Sequence, residues 1–143
     1  MFLGKHERSL DDKGRLVLPS AWRRAFDDAG GGILAPWDEC IGVWPRDVFG
    51  DVMEKLIDKV REGVATDKVL RLFQSQAHEI TLDAQGRFVI PEKHRAHAGI
   101  TRDVAVIGAH NRLELWAADG FTELESDMSA AEVSSQIREL RIF

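Results

Sequence analysis

The chain holds a single cysteine, Cys40. One thiol cannot close an intrachain disulfide, so a reducing compartment suits the protein. Nor is there an apolar run near the roughly 20 residues that a membrane-spanning helix needs. The opening Met1-Phe2-Leu3-Gly4-Lys5-His6-Glu7-Arg8 reaches charge at once and lacks the apolar core of a signal peptide. Together these absences predict a cytoplasmic protein with no membrane partner. No phosphate loop or nucleophile elbow occurs, and no set of ligands has metal spacing. His6 and His78 have no second ligand at such a spacing and read as packed or solvated side chains. No cofactor is expected. Linkers and low-complexity runs are missing too.

What is present is a nine-residue stretch that occurs twice. Asp11-Asp12-Lys13-Gly14-Arg15-Leu16-Val17-Leu18-Pro19 returns as Asp83-Ala84-Gln85-Gly86-Arg87-Phe88-Val89-Ile90-Pro91, at an offset of 72 residues. At the same offset His6 matches His78, Glu7 matches Glu79 and Leu10 matches Leu82. Further along, Arg23 matches Arg95, Trp44 matches Trp116, Asp47 matches Asp119 and Phe49 matches Phe121. Ungapped identities over so long a span indicate an internal duplication. Each half alone would bury only a modest core, so the halves are expected to share one or to borrow surface from other subunits.

The net charge is −5, which by itself argues against nucleic acid. The distribution argues otherwise. Residues 5–24 carry six Lys/Arg against three acids, whereas 77–96 carry three of each. From Asp119 onward six acids face two arginines. The positive patch therefore sits on the first copy of the repeat and the acidity at the tail.

Hydrophobic patterning places the elements. Residues 6–10 read as a strand entering the Asp11–Gly14 turn, and 15–18 as its return strand, ended by Pro19. Ser20 is a candidate cap for a short helix over 21–27, stopped by the glycines at 30–32. A second hairpin, 33–35 with 40–43, turns around Pro36–Glu39. Val48, Phe49, Val52, Met53, Leu56, Ile57 and Val60 make one apolar stripe on a helix over 46–62, followed by a helix over 67–76. The pattern then repeats: strand 78–82, turn 83–86, strand 87–90, helix 92–98, strands 104–108 and 112–116, and a helix from Asp119. Ser129 and Glu132 have capping-box spacing ahead of Val133, Ile137 and Leu140. Trp44 and Trp116 read as core anchors, and Arg23 and Arg95 as solvated or intersubunit salt-bridge residues.

The residues that define the repeat also resemble the MraZ family. The resemblance runs through Met1-Phe2-Leu3-Gly4, Ser9-Leu10-Asp11-x-Lys13-Gly14-Arg15-Leu-x-Leu-Pro19, Leu82-Asp83-x-Gln85-Gly86-Arg87-x-x-Ile-Pro91 and Val106-Ile107-Gly108…Leu113-Glu114-Leu115-Trp116. It covers nearly the whole chain and is weakest after residue 125. Members are bacterial regulators usually encoded at the head of the division and cell-wall gene cluster. The resemblance implies an α+β class, with two tandem AbrB/SpoVT-like swapped-hairpin repeats forming a shared β-barrel-like core with flanking helices. The corresponding segments are 5–47 for the first repeat, 48–76 for connecting helices, 77–119 for the second repeat and 120–143 for a C-terminal helical part. It further implies ring-like homo-oligomers, found with the nucleoid, that bind repeated double-stranded DNA elements upstream of their own operon and usually repress it. Asp11/Arg15 and Asp83/Arg87 would lie on the DNA-binding face. Two departures stand out. His94 replaces an aliphatic residue of the second short helix, and the Pro36–Glu39 turn lacks the usual glycine.

The residue chemistry can be read beside that resemblance. Asp11 and Asp83 suit turns for local reasons, as do Gly14 and Gly86. Asp11 and Arg15 could form no more than a turn-closing ion pair on a solvated surface, but turn chemistry needs no arginine, which puts DNA contact ahead for Arg15: its fork can bond guanine O6 and N7 in the major groove. Lys13, Arg8 and Lys5 would meet phosphate. Arg87 stands between contact and structure, because Lys13, Arg8 and Lys5 have become Gln85, Ile80 and Ala77 in its copy. The residues leave two competing functions. A pair of aspartates across a pseudo-two-fold could share a proton as an aspartic-protease dyad does, although the residues after each Asp are not those of such enzymes. A protein-binding scaffold or antitoxin-like module would suit the acidic tail and the amphipathic segment 129–143.

Overall fold

Fourteen elements alternate in the order that the duplication dictates, in a computed structural model that describes all 143 residues. The first repeat runs β1 (Phe2–Ser9), β2 (Arg15–Val17), α1 (Ser20–Asp28), β3 (Gly32–Trp37), β4 (Cys40–Pro45), α2 (Arg46–Arg61) and α3 (Asp67–Gln76). The second runs β5 (His78–Ile80), β6 (Arg87–Val89), α4 (Glu92–Ala98), β7 (Asp103–His110), β8 (Arg112–Ala117), α5 (Ala118–Ser126) and α6 (Ala130–Glu139). The class is α+β.

Strand partners are exchanged between the repeats. The main sheet has the order β1-β7-β8-β4-β3-β5, and β2 pairs with β6 in a separate two-stranded ribbon. Substituting each strand by its copy reverses that order onto itself. The registers agree: His6 lies opposite Val106, and their equivalents His78 and Leu34 also lie opposite each other. On the axis each residue faces its own copy, Leu16 opposite Phe88 and Gly42 opposite Glu114. The sequence pattern suggests that residues 6–10 and 15–18 form a hairpin. Instead β1 pairs with β7 and β2 with β6. The sheet ends on β1 and β5 and does not close into a barrel.

This exchange makes one core from two halves. Its main cluster takes nine residues from each repeat, among them Leu16, Leu18, Phe26 and Leu34 with Phe88, Ile90, Leu113 and Leu115. Burying one such side chain contributes about 1.5–3 kcal/mol, so the ribbon is held from below by Leu16 and Phe88. A second cluster, Ile33, Ala35, Trp44 and Phe49, lies on the sheet with α2 and α3 over it. Phe73 of α3 packs against Trp37, Trp44 and Phe49 there.

The helix ends follow local chemistry. Thr66 caps α3 through the Val69 N–H at 3.2 Å, and Ser129 and Glu132 form the reciprocal capping box on α6. Ser20 does not cap α1. It is the first helical residue, and Pro19 occupies the cap position with no side-chain bond. Trp116 is only half-buried, against Phe121, because no helix covers it as α3 covers Trp44. His94 is buried, and its Nε2 meets the Gln76 carbonyl at 2.7 Å. No helix is long and apolar enough to cross a membrane.

Candidate nucleic-acid interface

The two turns close in the same way. The Asp11 carbonyl accepts from Gly14 N–H at 3.0 Å, and Asp11 Oδ1 accepts from the N–H groups of Lys13 and Arg15, both at 2.9 Å. Asp11 Oδ2 then accepts from Arg15 Nε at 2.5 Å. In the second turn Asp83 bonds Gly86, Gln85 and Arg87 in the same pattern, with Arg87 Nε at 2.7 Å. Gly14 and Gly86 take φ of +73° and +74°, a left-handed conformation cheap only for glycine. The Arg15 backbone N–H, then its side chain, hold the Asp11 carboxyl below its ordinary pKa, and Arg87 does the same to Asp83. Both aspartates are therefore charged acceptors at neutral pH.

Alternation along the ribbon decides what faces out. Leu16 and Phe88 point into the core. Arg15, Val17, Arg87 and Val89 occupy the other face, with Arg15 opposite Val89 and Val17 opposite Arg87. The arginine side chains remain 29% and 28% exposed, and Val17 and Val89 are exposed as well. The result is a small, two-fold-related surface carrying two arginines on a diagonal with two valines. Sequence reading alone passes over the valines. Their outward place follows from the period of two, but their nearness to the arginines depends on β2 pairing with β6.

The copies differ in detail. Arg87 Nη2 also donates to Gln85 Oε1 at 3.2 Å, whereas Lys13 is exposed and leaves the terminal nitrogens of Arg15 without a protein partner. Arg8 is half-buried on β1 and donates only to the Glu7 carbonyl, at 3.0 Å. Lys5 is not gathered into the ribbon surface. Its Nζ binds Glu125 of α5 at 2.9 Å and lies 5.7 Å from the centre of the Phe121 ring. The Glu125 hydrogen bond raises its pKa. Arg23 and Arg95, read from the sequence as solvated or intersubunit residues, lie instead within the chain, each against the turn glycine of the other repeat. The two turns enter the antiparallel ribbon from opposite ends, and each carboxylate is held by its own arginine. That arrangement does not make a proton-sharing dyad, which would raise one of the two pKa values.

The same doubling appears in comparison with known proteins. The model of the family described as "MraZ protein, putative antitoxin-like" matches residues 1–72 and again residues 73–141. The chain belongs to the MraZ family. A transcriptional regulator MraZ from Alcanivorax borkumensis is 31% identical over 98% of this chain and 99% of its own length. Another from an Arthrobacter species is 38% identical over 96% of this chain and 97% of its own. A third, from Clavibacter michiganensis, is 40% identical over 86% and 85%. In this MraZ chain the boundary between the two family matches falls inside α3, and the strand exchange then joins what that boundary divides.

Proposed function

We propose that the chain is a sequence-specific regulator of transcription that binds double-stranded DNA through the outer face of the β2–β6 ribbon. The observation that carries the reading is that pairing: it turns two separate Asp-x-x-x-Arg turns into one surface with Arg15 and Arg87 outward. An antiparallel two-stranded ribbon fits the major groove, where an arginine fork matches guanine and an apolar group meets the thymine methyl. Arg15 and Val17 of one copy, with Arg87 and Val89 of the other, supply both. Lys13 reaches phosphate, and Arg8 adds charge from β1. Asp11 and Asp83 position the arginines, and Gly14 and Gly86 allow the turns. No catalytic role is assigned.

One ribbon offers few contacts, so several must act together. The reading therefore includes a ring-like homo-oligomer, in the cytoplasm and on the nucleoid, engaging repeated elements upstream of its own operon and repressing it. Exposed apolar side chains support assembly. Val69 and Leu72 on α3, Val133 and Ile137 on α6 and Leu140 at its end lack cover within the chain. A protein-binding scaffold would use the same α6 surface but would not need the ribbon.

The test is Arg15→Ala. Binding to the upstream region, followed by footprinting, is expected to vanish while the sedimentation profile stays unchanged. Binding that survives the substitution removes the assignment.

A further inference from the structure

Each short helix sends one arginine into the repeat to which it does not belong. Arg23 of α1 lies over Gly86, so close that a Cβ on Gly86 would fall 2.2 Å from Arg23 Nε and 2.6 Å from its Cδ. Arg95 of α4 lies over Gly14, where a Cβ would fall 3.1 Å from Arg95 Cζ. The residues are equivalent under the internal duplication, so the contact is made twice. It also gives the turn glycines a second reason to be glycine, beyond their φ. Any side chain there would enter the space that the crossed arginine fills.

We propose that Arg23 and Arg95 are positioning residues for DNA binding that act crosswise: Arg95 fixes the turn that carries Arg15, and Arg23 fixes the turn that carries Arg87. The inference rests on the DNA-binding reading of the ribbon.

Backbone bonds run the same way. Leu18 N–H donates to the Gly86 carbonyl and Ile90 N–H to the Gly14 carbonyl, both at 3.0 Å. Each turn glycine is thus held at its carbonyl by the opposite strand and over its Cα by the opposite helix. On one side the loop closes, because Arg23 Nε donates to the Leu18 carbonyl at 2.9 Å. On the other it stays open, since Arg95 Nε is shielded from solvent without a partner. Neither arginine has a carboxylate within salt-bridge distance, so an ion pair does not explain their presence. A flat guanidinium suits packing against a peptide, and an ammonium does not reproduce it.

The rival role for such a cation is direct contact with phosphate, and salt dependence separates the two. Loss of a phosphate contact lowers the slope of log affinity on log salt by about 0.9. Loss of a positioning contact lowers affinity at unchanged slope. A double-mutant cycle supplies the direction.

The experiment uses the full chain and a duplex with one copy of the element that footprinting defines. Arg95→Met is expected to weaken binding roughly tenfold, the scale of coupling between contacting residues, with an unchanged salt slope. Combined with Arg15→Lys, its loss should be clearly smaller than the product of the single losses. Combined with Arg87→Lys, it should equal the product. Arg95→Lys, which keeps the charge but removes the plane, should bind as weakly as Arg95→Met, and it carries the cycle if the methionine variant loses its thermal midpoint or its assembly. Coupling to Arg87 rather than Arg15, rescue by lysine, unchanged affinity, or a slope lower by about 0.9 would each overturn the crossed arrangement while leaving the ribbon as the DNA surface. If Arg15→Ala itself leaves binding intact, ribbon and brace fall together.

Discussion

At the level of single residues, Asp11 and Asp83 do more for the backbone than for charge. Each accepts two main-chain N–H groups on Oδ1 before it reaches its arginine through Oδ2. Because both titrate below the ordinary carboxylate range, the order they confer is present above about pH 4 and fades as pH falls through the lowered pKa. Carbon NMR of the two carboxyls should show titration below that of the exposed acids, with no change between pH 5 and 8. Asp11→Ala should weaken DNA binding less than Arg15→Ala, since it loosens the turn but leaves the guanidinium present. The reverse order would give the carboxylate a direct part. The turn glycines differ in a measurable way. Gly14→Ala meets the cost of positive φ, about 1–2 kcal/mol. Gly86→Ala meets that cost and also displaces Arg23 from the Leu18 carbonyl, about 1 kcal/mol more. Urea midpoints should place Gly86→Ala below Gly14→Ala, and equal midpoints would mean that Arg23 yields freely.

Among the elements, α6 stands apart. It is capped at both partners of its box, yet every one of its residues is exposed. Removing Ser129–Phe143 should therefore leave the unfolding free energy within about 0.5 kcal/mol of the full chain, as surface changes do, while shifting the sedimentation profile toward smaller species. An unshifted profile would show that assembly uses other faces. Such elements were legible in the sequence because each rests on local signals. The capping box of Ser129 and Glu132, the α2 stripe and both Asp-x-x-x-Arg turns appear where residue pattern places them. Partner choice was not legible. Alternation marks residues 6–10 and 15–18 as strands, but nothing local distinguishes a hairpin from an exchange in which β1 goes to β7 and β2 to β6. For the same reason the crossed arginines read as surface charges. Trp116 looks like Trp44 in sequence, and its half-exposure follows only from the absence of a second α3 above it.

For the molecule as a whole, the axis through Leu16/Phe88 and Gly42/Glu114 is approximate, and the departure reaches the ribbon. One end carries exposed Lys13 beside an Arg15 whose terminal nitrogens are unengaged; the other carries Gln85, bonded to Arg87 at 3.2 Å. A perfect dyad would seat on a duplex equally well in either sense. On the proposed DNA-binding reading, the two senses here differ by a cation and by the freedom of one guanidinium, which would give the protein a heading along the groove. Successive subunits of a closed assembly would then all travel the same way, and DNA elements repeated in one direction would suit them. Inverting one of two adjacent elements should cost avidity in a mobility-shift titration although every base pair is retained. Lys13→Gln, which makes the ends more alike, should shrink that penalty. Duplication thus provides the ribbon, and the mismatch between its two copies would tell the molecule which way it is facing.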